Sequence, residues 1–162
     1  METLKLPRIS DLPSIDLYKE QVLELLDPLL VLLDVKPITA SMINNYTKHH
    51  FIPAPNKKKY NRKHVAHIIV IAILKDLFEL SEIVIAIEKS KNVFGFEDAY
   101  NIFMESLERS LNALNQPPIL DEMLITPSSN AAQRLIEYAS LSFALRKMAR
   151  STLRVKGDVH EN

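Results

Sequence analysis

The chain has 162 residues, enough for one domain or a small domain with an extension. A hydrophobic content of 47% supports a packed core and argues against global disorder. The absence of cysteine excludes disulfides, thiolate zinc sites, iron–sulfur clusters and thiol nucleophiles together. Only two glycines are present, which argues against phosphate-cradling loops, and the abundance of Leu and Ile favours helices. The N-terminus lacks a signal-peptide core, and the apolar runs at 29–33 and 68–74 are too short to span a membrane, so a soluble cytoplasmic protein is expected.

Net charge is zero, but it is unevenly placed. Residues 35–75 hold Lys36, Lys48, Lys57, Lys58, Lys59, Arg62, Lys63 and Lys75, together with four of the five histidines, and no Asp or Glu. That segment is therefore +8 and the remainder −8. A basic face on a neutral chain points to an anionic partner.

In chain order, Pro7 and Pro13 make residues 1–14 an extended lead-in. Asp16 is expected to open a first helix with the apolar stripe Leu17, Val22, Leu23, Leu25 and Leu26, kinked or split at Pro28 and ended before Pro37. Thr39 is the expected N-cap of a second helix, residues 39–49, with Ile38 and Ile43 as a hydrophobic staple. Helical spacing turns Met42, Ile43 and Tyr46 inward, and Ala40, Ser41, Asn44, Asn45 and Lys48 outward. That outward face is amide-rich and free of acids. An ordinary solvated face is the bland reading, but Asn can also bond bidentately to an adenine edge in the major groove.

Phe51 and Ile52 leave this helix in an extended segment, and with Tyr60 they are expected to anchor the two sides of a small hairpin. Its basic tip, Asn56 to Lys59, presents Lys57, Lys58 and Lys59, residues suited to solubility or to phosphate contacts. Asn61 caps a third helix, apolar on nearly all sides from Val65 to Phe78 and so expected to be central. Arg62 and Lys63 in its first turn oppose the helix dipole, a cost that an anion docked there offsets. Ser81 is the expected cap of a fourth helix reaching about Lys89, and a turn around Gly95 leads into a fifth over 97–114 with Tyr100, Phe103, Met104, Leu107 and Leu111 facing inward. A short helical turn is expected over 120–125, then a last helix from the Thr126-Pro127 cap to about Thr152, with a fraying tail over 156–162. The last helix has two stripes: Leu135, Ile136, Ala139 and Phe143, and Tyr138, Leu141, Leu145 and Met148. The second suits either the core or a second subunit.

Thr39, Ile43-Asn44-Asn45-Tyr46, Phe51-Ile52-Pro53, the lysine tip, Tyr60, the apolar third helix and Leu80-Ser81-Glu82-Ile83 together resemble the DNA-binding domain of the MerR regulators. More closely, LPSIDLY, ITASMINNYTKHHFIPAP and KKKYNRKHVAHIIVIAILK resemble a bacterial family of unknown function placed near the MerR group. The resemblance implies that Ser41, Asn44, Asn45, Lys48, Lys57, Lys58, Lys59 and Tyr60 touch DNA. Asn44 stands where MerR proteins usually have Arg, His50 where they often have Gly, and the wing lacks the usual Gly and Arg.

The expected fold is mainly α: a MerR-like winged helix-turn-helix over 1–90 with a β-hairpin wing, and a C-terminal helical extension over 91–155. The expected function is sequence-specific binding of double-stranded DNA by a dimeric transcriptional regulator. Helix 39–49 enters the major groove, Asn44 and Asn45 read bases with Ser41, and the lysine tip, Arg62 and Lys63 hold phosphates. The alternative is a helical interaction module whose basic face binds an acidic protein; RNA binding has less support because exposed aromatics are few. No catalytic constellation, metal site or cofactor is expected: His64 and His67 are at chelating i, i+3 spacing, but no acid lies in the segment to complete a site.

Overall fold

A computed structural model describes residues 3–115, 125–127 and 130–155. They form two compact units, Pro7–Ile102 and a second made from Met1–Leu6 with Phe103–Asn162. The boundary between the units falls within the helix Phe96–Leu114. Residues near Tyr100 are tied to the first unit: the Tyr100 hydroxyl donates to the Pro7 carbonyl, and the Ile9 N–H donates to Asn101 Oδ1.

In the first unit, a 3-10 turn (Ile9–Asp11) precedes β1 (Leu17–Tyr18), α1 (Lys19–Leu32), α2 (Ala40–Lys48), β2 (Lys59–Tyr60), α3 (Arg62–Leu74) and α4 (Leu80–Phe94). The central element is α3, as its all-round apolarity predicts. Val65, Ala66, Ile68, Ile69, Ile71 and Ile73 are buried, and the helix packs on α1, α4, β2 and the 3-10 turn. Each Val or Ile side chain among them contributes about 1.5–3 kcal/mol on burial.

Several boundaries move for identifiable reasons. Leu17 and Tyr18 pair antiparallel with Tyr60 and Lys59, so α1 starts after Tyr18 and not at Asp16. The Tyr18 N–H is satisfied by Gln21 Oε1 at 2.8 Å. Pro28 does not divide α1. It lies on the exposed side, where water can solvate the carbonyl it leaves unbonded, while Val22, Leu26 and Leu30 hold the opposite face in the core. Asp34, at φ 56°, ends α1: its own N–H donates to Val31 O and that of Val35 to Leu30 O.

The helix α3 stops at Leu74, short of Phe78. Glu79, not Ser81, caps α4, and its N–H donates to Glu82 Oε2 at 2.9 Å. Far from ending near Lys89, α4 runs to Phe94, where Gly95 supplies the positive φ of 78° that breaks it from α5 (Phe96–Leu114).

In the second unit, Phe103, Met104, Leu107 and Leu111 of α5 are buried at the expected spacing. Asn112 holds Leu4 in both directions: its Oδ1 accepts the Leu4 N–H at 2.9 Å and its Nδ2 donates to the Leu4 carbonyl at 3.0 Å. The last helix, α6 (Ala131–Val155), begins at Asn130 instead of Thr126. The Asn130 side chain accepts from the N–H groups of Ala132 and Gln133, which makes it the effective cap. Thr126 has another partner, as its N–H and hydroxyl both donate to the fully buried Glu137. Ile136, Ala139 and Phe143 form the buried stripe, whereas Tyr138 and Leu145 stay half exposed. The expected helical turn from residue 120 and the tail over 156–162 lie outside the described residues. No described helix is long and apolar enough to cross a membrane.

Candidate nucleic-acid interface

The site is built on α2 and the tight turn that follows it. Thr39 caps α2, its Oγ1 accepting from the Met42 N–H at 3.2 Å, while Ile38 and Ile43 are both buried, as a staple requires. Ile43 and Tyr46 fix the inner face, which leaves Ser41, Asn44, Asn45 and Lys48 exposed. The helix ends in a Schellman arrangement. His50 takes φ 58°, its N–H donates to Thr47 O, and the Phe51 N–H donates to Tyr46 O at 2.8 Å.

The turn Asn56–Lys59 closes by two reciprocal backbone bonds of 3.0 and 2.9 Å. Both central residues, Lys57 and Lys58, have positive φ (47° and 64°), the signature of a type I′ hairpin turn normally filled by Asn-Gly. Two lysines therefore occupy the tip against their backbone preference. The hairpin does not extend to Phe51 and Ile52 as expected; beyond the turn, β2 pairs with β1 instead.

Residues 7–110 match the family described as a domain of unknown function, DUF1836. The chain belongs to this family. No curated protein and no solved structure matches it. The compact unit Pro7–Ile102 falls within the DUF1836 span, as does every candidate interface residue.

Asn44 and Lys48 of α2 and Lys58 of the turn border one groove of about 560 Å³, to which Tyr18, Lys19 and one carboxylate, Glu20, also contribute. Lys19 Nζ donates to Asn44 Oδ1, so in this state the Asn44 amide presents its NH2 outward. A bidentate adenine contact needs both amide atoms and therefore requires Lys19 to let go. Lys59 is half-buried, its ammonium 5.1 Å from the centre of the exposed Tyr18 ring. Sequence reasoning missed Lys19 and Tyr18. They lie outside the acid-free segment, and only the pairing of β1 with β2 brings them to the groove.

Three further expected contact residues also have structural partners. Tyr60 is a core residue, 3% exposed and edge-on to His64 at 5.8 Å, so it borders the groove but offers little surface to a docked anion. Burial, together with the charge of Glu20 and against a hydrogen bond with Thr47, pushes its hydroxyl pKa up. Arg62 donates from Nε to the Leu12 carbonyl at 3.0 Å, and Lys63 stands 3.9 Å from Glu97, both side chains exposed.

His64 locks the base of the turn to α3 within the DUF1836 fold. Its Nδ1 accepts the Asn61 N–H at 3.0 Å, the Asn61 side chain accepts the His64 N–H in return, and its Nε2 donates to the Ala54 carbonyl at 3.0 Å. Both ring nitrogens are thus committed. His67 Nδ1 donates to the Lys63 carbonyl at 2.7 Å, and burial is the largest influence on this ring, pulling its pKa below the usual histidine value. Among the described residues no group of three His, Asp or Glu is placed to hold a metal ion.

Proposed function

We propose that this DUF1836 protein is a sequence-specific double-stranded DNA-binding protein, a transcriptional regulator whose first unit works as a MerR-like winged helix-turn-helix. In this reading α1 and α2 are the helix-turn-helix, α2 enters the major groove, and Asn44, Asn45 and Ser41 meet base edges. The Asn56–Lys59 turn is the wing, and Lys57, Lys58, Lys48 and Lys19 meet phosphates. The observation that carries the proposal is the shared groove: an amide-bearing, acid-free helix face and a lysine-tipped turn border one concave surface. In this reading the pairing joins a base-reading element to a phosphate-holding one. The half-exposed Tyr138 and Leu145 on α6 support a homodimer through the C-terminal helices. In this reading the protein acts by binding.

A salt titration of duplex affinity tests this. With about four to six phosphate contacts per subunit, log affinity falls with log salt at a slope near −4 to −5. Asn44→Ala then weakens the preferred site and spares non-specific binding, whereas Lys57→Ala with Lys58→Ala weakens both. No duplex binding at low salt sinks the proposal and favours the acidic-protein partner.

A further inference from the structure

A separate cavity of about 470 Å³ lies within the first unit between α3, α4 and the segment joining α2 to the turn. This volume falls in the range of small-molecule sites. One wall is an aromatic shelf, the His67 ring stacked on Phe96 with centres 4.2 Å apart and planes 14° apart. The half-buried Val84 and Ile87 of α4 supply apolar surface. Because the Nδ1–H of His67 is donated to the Lys63 carbonyl, its Nε2 remains a hydrogen-bond acceptor on a ring that lines the cavity. Burial holds this ring neutral, which preserves the acceptor at ordinary pH.

Two ammonium groups, Lys63 of α3 and Lys91 of α4, line the same cavity together with one carboxylate, Glu88, which a ligand carboxylate must displace from Lys91. Their partners, Glu97 at 3.9 Å and Glu88 at 3.4 Å, are exposed, and such pairs hold their charges weakly. A ligand carboxylate that meets both lysines exchanges these two weak pairs for one shared contact. The complement of these groups is a flat ring with a hydrogen-bond donor on one edge and an anion on another.

We propose that this cavity binds a planar aromatic carboxylic acid bearing a ring hydroxyl. Its ring packs on the Ile87 surface and meets the edge of the His67–Phe96 pair, its hydroxyl donates in the plane of the imidazole to His67 Nε2, and its carboxylate meets Lys63 and Lys91. The site is distinct from the groove at α2 and binds without DNA, so its failure and that of the DNA reading are distinguishable.

The test is titration of the isotope-labelled full chain with 4-hydroxybenzoate, followed by amide shifts, with benzoate and cyclohexanecarboxylate as comparison probes. Saturable shifts at Lys63, His67, Val84 and Lys91 are expected, with a roughly millimolar or tighter Kd. Benzoate binds more weakly, and cyclohexanecarboxylate more weakly again. Lys91→Gln, a change at an exposed side chain, lowers affinity about tenfold, worth about 1.4 kcal/mol. Val84→Phe fills the cavity and abolishes binding, and Lys89→Gln on the exposed side of α4 leaves it unchanged. The proposal is overturned by absence of saturation, by shifts centred elsewhere, or by undiminished binding in a folded Lys91→Gln protein.

Discussion

Replacing Lys57-Lys58 by Asn-Gly separates what the turn costs from what it does. Both lysines sit at positive φ, 47° and 64°. A left-handed backbone costs an ordinary residue roughly 1–2 kcal/mol, which Gly avoids and Asn partly avoids. Gly gives back about 0.5–1 kcal/mol through the extra freedom of the unfolded chain. The double change Lys57→Asn, Lys58→Gly therefore stabilises the protein by about 1 kcal/mol, or about 2–4 °C in Tm for a chain of this size. The same change removes two charges from the groove edge. If each meets a phosphate, the salt slope of duplex binding falls by about 2 and affinity drops across all sequences. Urea unfolding and a salt titration on the same sample read both effects. A less stable variant refutes the turn geometry; unchanged affinity and slope refute the phosphate role. A gain in stability with a loss of binding identifies the lysines as held in a costly conformation for their charge.

Three further outcomes follow from particular residues. Glu137→Ala strands the Thr126 N–H and hydroxyl, the Gln133 amide and Arg109, and should cost about 3 kcal/mol in urea unfolding. Burial raises the Glu137 pKa, but the Gln133 and Thr126 hydrogen bonds and the Arg109 charge outweigh it and hold the carboxyl below 4.5; its stabilisation is full above that pH and lost as pH falls through the folded value. The lowered His67 pKa, caused chiefly by burial, makes the unfolded chain the better proton acceptor below 6.5, so stability falls on acidification from there, and His67→Gln should flatten that part of the urea-midpoint profile. Gly95→Ala meets no atom within 4 Å, yet at φ 78° and ψ 158° the new side chain sits in a region open essentially to Gly alone, and the loss should be about 2 kcal/mol.

The sequence by itself determined the features whose causes are local. Thr39 and Asn61 cap their helices because side chain and N–H lie within three residues of each other. The all-round apolarity of α3 makes burial unavoidable, and the spacing of Ile43 and Tyr46 fixes which face of α2 stays outside. The acid-free basic segment is plain in the chain without any coordinates. What the tertiary structure alone decided depends on register between distant segments. Leu17 and Tyr18 leave the first helix because Tyr60 and Lys59 offer their backbone groups a partner, and that pairing turns the Tyr60 ring inward and brings Tyr18 and Lys19 to Asn44. Arg62 looks like a free cation in the sequence until Leu12 presents its carbonyl. Helix periodicity and capping act over a few residues and can be read in order; strand pairing and side-chain partners are set by which surfaces the buried core brings together, and no short stretch of sequence encodes them.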